Sequence, residues 1–118
     1  MKTLGIAPVL QVSNLDKSLK YYTQVLGFTE DFRFGDYAGM TLGNVELHLC
    51  NHDIHRRPVG GGAASIVCDE VDTYCNEIKK KGALVKVEPG DRPYGMRDFT
   101  VLDPDGNHLH FGCESRSS

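Results

Sequence analysis

The sequence predicts an α+β fold in which two pseudo-symmetric βαβββ modules form a concave, eight-stranded cleft. In each half of the chain, a strand-like segment is followed by one helical pattern closed by glycine and then by three short strand patterns. The motif Leu47-His48-Leu49 also recurs as Leu109-His110-Phe111, each copy following a Gly-Asn turn, with the two histidines 62 positions apart (110 − 48). Repetition of a whole unit predicts two modules that fold alike.

The length of 118 residues fits one domain with a shared core and is too short for two independent ones. We expect a single domain over residues 1–118. Module one covers about residues 4–50 and module two about residues 63–113. Residues 51–62 (NHDIHRRPVGGG) lose all periodicity and predict a linker between them.

Module one is predicted to begin with a strand over residues 5–12, with Ile6 on its apolar face. Asn14 then caps a helix that ends at Gly27. Its apolar residues recur at helical spacing and are Leu15, Leu19, Tyr22 and Leu26. Strands over residues 28–34, 37–42 and 45–50 complete the module, because Gly-Asp and Gly-Asn turn signals separate them.

Module two repeats this order with a strand over residues 63–68, a helix capped by Asp69, and strands over residues 84–87, 96–102 and 108–112, with a loop over 88–95. The buried helix face is Val71, Tyr74, Cys75 and Ile78. In the last strand, alternation places His108 and His110 on one face and the apolar Leu109 and Phe111 on the other. An imidazole face opposite an apolar face predicts a functional surface there.

Composition excludes several partners. The net charge is −3 and no basic stripe is present, so we expect no nucleic-acid binding. No segment is long and apolar enough for a membrane span or a signal peptide, so we expect no membrane association. The four cysteines form no C-x-x-C motif and lie in or beside apolar segments, which favours reduced thiols in a cytoplasmic protein.

Three segments together resemble the vicinal oxygen chelate superfamily, which includes glyoxalase I, extradiol dioxygenases and bleomycin-resistance proteins. They are NLDKSLKYYTQVLGF, VDTYCNEIKKKGA and RPYGMRDFTVLDPDGNHLHF, and the resemblance covers nearly the whole chain. The chain size and the PYGMRDF segment are most similar to bleomycin-resistance-like members. The resemblance implies paired βαβββ modules, in agreement with the unit count above, and a homodimer in which one subunit completes the other's cleft.

The resemblance also implies where a metal would bind, namely at about Ala7, at Glu46 or His48, at Ala63 and at His110. Alanine offers no lone pair, so only His48, His110 and Glu46 remain as metal ligands. Two imidazoles and a carboxylate are able to hold a divalent zinc, nickel, iron or manganese ion. The alternative is that no cofactor is bound and that both histidines act as hydrogen-bonding residues of a polar cleft.

We therefore expect a small-molecule-binding protein that sequesters a drug or metabolite in the cleft without chemistry, as in antibiotic resistance. The alternative is a metal-dependent lyase or isomerase resembling glyoxalase I, and no catalytic residue is assigned. The expected ligand-binding residues are polar or aromatic side chains near the predicted cleft: His48, His110, Glu46, Gln11, Phe32, Phe34, Tyr94 and Phe99.

Overall fold

The computed structural model describes residues 1–52 and 56–115 as two four-stranded sheets with few helices. The elements of module one are β1 (Val9–Gln11), α1 (Leu15–Lys20) with a π-helical turn after it (Tyr21–Val25), β2 (Thr29–Phe34), β3 (Tyr37–Leu42) and β4 (Val45–Cys50). Those of module two are β5 (Ala63–Val67), α2 (Val71–Lys80), β6 (Leu84–Asp91), β7 (Met96–Leu102) and β8 (His108–Glu114). The predicted βαβββ repeat is confirmed.

The two sheets have the same topology, which confirms the internal repeat. Module one forms sheet A in the order β1-β4-β3-β2, and module two forms sheet B in the order β5-β8-β7-β6. In each sheet the first strand pairs in parallel with the last, and the remaining pairs are antiparallel. The equivalent last strands β4 and β8 therefore lie in the second position of each sheet, and they carry His48 and His110.

One face of each sheet packs into a shared apolar core. The buried residues of sheet A include Leu10, Ala38, Met40, Leu47 and Leu49, and those of sheet B include Ile66, Phe99, Val101, Leu109 and Phe111. The predicted helix faces join them, since Leu15, Leu19, Tyr22 and Leu26 are buried in module one and Val71, Cys75 and Ile78 in module two. The opposite face of each sheet points away from this core.

The two helices begin differently. The Oδ1 of Asn14 accepts a hydrogen bond from the backbone N–H of Lys17, so the predicted cap of α1 is confirmed. The predicted cap of α2 is wrong, because Glu70 and not Asp69 occupies the N-cap position. Glu70 has a left-handed backbone (φ 48°) and no side chain caps this helix end. Sequence spacing locates the helix but not the conformation of its first residue.

Two strands, β1 and β6, depart most from their predicted bounds. The first strand is limited to Val9–Gln11, since the parallel ladder with β4 starts where the N–H of His48 donates to the carbonyl of Pro8. Ile6, expected on a strand face, is 85% exposed. β6 extends to Asp91 and so includes half of the predicted loop. Two register shifts in its pairing with β7 accommodate the proline and glycine that predicted a break.

A buried hydrogen-bond network joins the two modules. Asn107 is fully buried, donates to the carbonyl of Gln11 and to the carboxylate of Asp103, and accepts from the N–H of Gly62. Asp103 also accepts a hydrogen bond from the hydroxyl of Tyr22 in module one, at 3.0 Å. The turn that precedes β8 therefore fixes β1, the π-helical turn after α1 and the described part of the linker against module two. Within the described residues, no helix is long and apolar enough to cross a membrane.

Candidate functional site

The outward faces of the two sheets carry the polar side chains that the sequence singled out. On sheet A, His48 is half-buried and Glu46, two residues earlier on the same strand face, is exposed. On sheet B, His108 and His110 are half-buried, whereas Leu109 and Phe111 are buried in the core. The predicted alternation of β8 is therefore confirmed. The two imidazoles occupy equivalent positions on different sheets.

The strand register identifies the first-strand residues that lie beside these histidines. Val9 lies opposite His48, and Ser65 lies opposite His110. Ala7 precedes β1, and Ala63 pairs with His108. Valine has no donor atom, whereas the serine hydroxyl is a weak ligand compared with imidazole or carboxylate.

An aromatic surface covers sheet A around His48 and consists of Phe32, Tyr37 and His48. The ring of Phe32 meets the imidazole edge to face, with centroids 5.3 Å apart, and Tyr37 meets it at the same distance from another side. Phe32 lies directly over Gly39, which pairs with both Phe32 and His48 in the sheet. Glycine in this strand therefore permits the ring to rest on the backbone.

The hydroxyl of Tyr37 fixes the orientation of the imidazole. It lies 2.7 Å from Nδ1 of His48. Burial raises the pKa of Tyr37, so the phenol keeps its proton at neutral pH. The hydrogen bond at Nδ1 leaves Nε2 as the ring nitrogen of His48 that is available to a ligand.

A groove of about 960 Å³ continues from the aromatic surface at the end of sheet A. It is lined by Val9, Phe34, Gly35, Asp36, Tyr37, Cys50, His52 and Arg57. Arg57 is held in place there, because its guanidinium donates to the carbonyl of Val9 and to Oε1 of Gln11. The groove is mainly apolar with one cation at its wall, which is the usual composition of a small-molecule site.

A polar surface covers sheet B around His110 and consists of Asp98, Thr100 and His110. The Oγ1 of Thr100 lies 2.8 Å from Nδ1 of His110. Asp98 accepts from Nε of Arg92 at 2.7 Å and from the hydroxyl of Tyr94 at 2.6 Å. Burial acts to raise the pKa of Asp98, but these two hydrogen bonds and the Arg92 charge outweigh it and lower the pKa. Asp98 is therefore ionised at neutral pH.

The polar surface has its own smaller cavity, of about 300 Å³. Its walls are Ser65, Ile66, Val67, Tyr94, Met96, Asp98, His110 and Gly112. It shares no lining residue with the groove on sheet A, so these two cavities of the described chain stay separate. Near its edge, His108 donates from Nδ1 to the carbonyl of Gly106 and accepts at Nε2 from Lys86, which fixes its tautomer.

The remaining predicted ligand-binding residues are distributed unevenly. Phe34 is 86% exposed at the groove of sheet A and Tyr94 is 68% exposed at the cavity of sheet B. Gln11 is buried, donates to the carbonyl of His52 and accepts from Arg57. Phe99, expected in the cavity, is fully buried and stacks on Phe111 in the core. Strand alternation explains the difference, because Phe99 and Asp98 point to opposite faces of β7.

Sequence reasoning missed the residues that position these aromatic and imidazole rings. Tyr37 and Thr100 contact the two imidazoles, and Gly39 lies beneath the ring of Phe32. All three are cross-strand neighbours, and their register is fixed only by the folded sheet. A glycine between apolar strand residues was the one signal available for position 39. Within residues 1–52 and 56–115, no group of three or more His, Cys, Asp or Glu side chains lies close enough together to hold a metal ion.

The fold and the paired surfaces define a chain of the glyoxalase type. A family model of the Glyoxalase/Bleomycin resistance protein/Dioxygenase superfamily matches residues 5–111, and the chain belongs to this superfamily. A lactoylglutathione lyase of Neisseria meningitidis is 31% identical over 87% of this chain and 85% of the relative. A bleomycin resistance protein of Geobacillus stearothermophilus is 28% identical over 93% and 96%.

A solved structure agrees with both the fold and this family. The bleomycin-binding protein of Streptomyces verticillus, in complex with copper(II)-bleomycin, superposes with a TM-score of 0.79 at 28% identity. The match covers 98% of this chain and 99% of that one. The superfamily therefore contains both enzymes and binding proteins among the relatives of this chain.

Proposed function

We propose that the protein binds a small molecule, a drug or a metabolite, and sequesters it without chemistry. The observation that carries this proposal is the aromatic surface beside a large groove. Phe32 is partly exposed, presents a ring face fixed over Gly39, and is followed by the exposed Phe34. Fixed aromatic faces bind flat, conjugated groups at low cost in side-chain entropy.

The hydrogen-bonding groups near these faces are held in fixed orientations that suit ligand binding. His48 has Nδ1 occupied by Tyr37, and His110 has Nδ1 occupied by Thr100. Asp98 has both carboxylate oxygens engaged by Arg92 and Tyr94. Each group is thus held in one orientation and offers a limited set of donors and acceptors, which favours specific binding.

The relatives support the same reading. Both the Geobacillus stearothermophilus protein and the Streptomyces verticillus protein are named for bleomycin, and each matches this chain over more than nine-tenths of its length. A cationic or metal-chelating drug is therefore a rational first ligand. Resistance by sequestration in the cytoplasm is the biological role we infer, and the four free thiols fit a reducing compartment.

The alternative is metal-dependent lyase chemistry, which the Neisseria meningitidis relative favours. The donor set of this chain does not fit that chemistry. Open catalytic sites commonly use three protein ligands, but the neighbours of His48 and His110 on the first strands are Val9 and Ser65. Glu46 alone adds a carboxylate on the face of His48. We therefore derive no reaction step through a metal.

We also propose a homodimer in which sheet A of one subunit faces sheet B of the other. Both outward faces expose large apolar side chains, with Phe34 86%, Val67 78% and Tyr94 68% exposed. Such pairing would place His48 across from the partner's His110 and close the groove with a polar wall. Sedimentation velocity is expected to give a dimer, and Phe34→Ser with Val67→Ser is expected to give monomers. A monomeric parent protein would contradict this arrangement.

The functional proposal is tested by comparing binding with turnover. Protein purified without chelator is analysed for metal and assayed for lactoylglutathione lyase activity with added zinc or nickel. We expect no stoichiometric metal and no turnover. We expect His48→Ala and His110→Ala to weaken ligand binding only in part. Stoichiometric metal that both substitutions abolish, together with turnover, would overturn the binding function in favour of the lyase.

A further inference from the structure

Two cysteines lie side by side at the edge of the core in module two. Cys68 follows the last residue of β5, and its backbone N–H donates to the carbonyl of Gly112 at 2.8 Å. Val67 pairs with Gly112 in the parallel ladder of β5 and β8. This hydrogen bond continues the ladder by one residue, so Cys68 lies opposite Cys113.

The two side chains point to the same side of the sheet. Alternation places Cys68 with Ile66 and Cys113 with Phe111, both on the core face and away from His110. Both cysteines are half-buried and pack against the core cluster. Each also lines an open cavity, Cys68 beside Tyr74 and Cys113 beside Asp72, through which a small reagent can approach both residues.

The spacing suits a covalent bond between them. Paired residues on neighbouring strands have Cα atoms about 4.8 Å apart. Disulfides join cysteines whose Cα atoms are roughly 4.4 to 6.8 Å apart, with the Cβ atoms somewhat closer than in an undistorted ladder. Cys68 lies just past the end of β5, where the chain is no longer held by the ladder on both sides, so the two Cβ atoms can approach each other with little resistance.

We propose that Cys68 and Cys113 are a site of oxidative modification that closes to an intramolecular disulfide when the protein meets hydrogen peroxide. One thiolate attacks the peroxide, breaks its O–O bond and becomes a sulfenic acid with release of hydroxide. The second thiolate attacks that sulfur, forms the S–S bond and releases the second hydroxide. Two protons from the thiols convert both hydroxides to water, so one peroxide is reduced and two thiols are oxidised.

The other two cysteines provide matched controls. Cys50 on β4 and Cys75 on α2 are 5% and 1% exposed. Neither is paired across strands with another cysteine in the described registers. Burial, the nearby Cys113 and Asp69 raise the pKa of Cys68, so the thiolate is scarce at neutral pH. The experiment is therefore run at a mildly alkaline pH of about 8.5, near the ordinary thiol pKa.

The test treats the full chain with hydrogen peroxide under native conditions, blocks remaining thiols with iodoacetamide after denaturation, and measures intact mass and peptide maps. We expect two blocked thiols in place of four and a loss of about 2 Da for the bond, with Cys68 and Cys113 in one linked peptide pair. Cys50→Ser and Cys75→Ser should retain the link. Cys68→Ser and Cys113→Ser should each abolish it.

A second measurement uses only the parent protein, so it tests the proposal even if a cysteine variant does not fold. Oxidised parent protein should unfold at a higher temperature than the reduced form, and dithiothreitol should reverse the shift. A link that involves Cys50 or Cys75, a link only between chains, or four blocked thiols after peroxide treatment would overturn the proposal. Bleomycin binding is not needed for any of these readouts, so failure here is separate from failure of the proposed function.

Discussion

Gly39→Ala is expected to remove the ring of Phe32 from the aromatic surface. A Cβ at this position would overlap Cε1 of Phe32 and lie 2.7 Å from its Cδ1 and Cζ. Gly39 has no left-handed backbone angle, so alanine itself is compatible with the strand. The cost of the substitution therefore comes from the displaced ring.

The magnitude follows from the contacts that the ring would lose. Phe32 meets His48 edge to face at 5.3 Å and stacks with Tyr37 at 6.2 Å. At about 0.5 to 1.5 kcal/mol per aromatic pair, the loss in the free energy of unfolding is about 1 to 3 kcal/mol. For a chain of this size that corresponds to a decrease in the unfolding midpoint of roughly 4 to 12 °C.

The assay is a double-mutant cycle in urea and thermal unfolding. Gly39→Ala, Phe32→Ala and the double variant are compared, with Gly5→Ala as a control because nothing lies within 4 Å of a Cβ there. We expect the effect of Gly39→Ala to vanish when Phe32 is already alanine. An equal loss of stability in both backgrounds, or no loss in the parent, would refute the conclusion that the ring of Phe32 packs on Gly39.

Two further predictions concern other parts of the fold. Asn107→Ala should lower the free energy of unfolding by about 3 kcal/mol in urea denaturation, because it removes the three hydrogen bonds of a buried side chain, worth about 1 kcal/mol each. The exposed Asn44→Ala should have little effect, and equal effects of the two substitutions would contradict the role of this hydrogen-bond network. The lowered pKa of Asp98 stabilises the fold above about pH 4, and this contribution is lost as the pH falls through the folded-state pKa. Urea denaturation of Asp98→Asn should therefore show lower stability than the parent at pH 7 and a smaller difference at pH 3, and an equal difference at both pH values would contradict this.

Much of the fold follows from local sequence patterns. The two strand faces of β8 and the helix beginning at Asn14 were predicted because each depends on residues that are near one another in the chain. The start of β1 was not, because residues 5–8 look like a strand but lie outside the ladder with β4. Strand ends depend on partners that are distant in sequence.

The candidate site was predicted less completely for the same reason. The repeat identified His48 and His110, but their neighbours Tyr37 and Thr100 are set by register across strands. Phe99 was expected at the ligand because aromatic residues occur in both cores and cavities, and only the face of β7 distinguishes them. The proposed pairing of the two surfaces involves a second chain, which no pattern within this sequence describes.

The main functional proposal is that the aromatic surface of sheet A binds a small molecule without a metal. Its most direct test is an NMR titration of chelator-treated, isotope-labelled protein with metal-free bleomycin. We expect the largest shifts at the Gly39 amide, the His48 imidazole and the Phe32 ring, with saturation as the ligand is added. No shifts at ligand concentrations well above that of the protein, or shifts confined to residues outside both sheet surfaces, would contradict the claim.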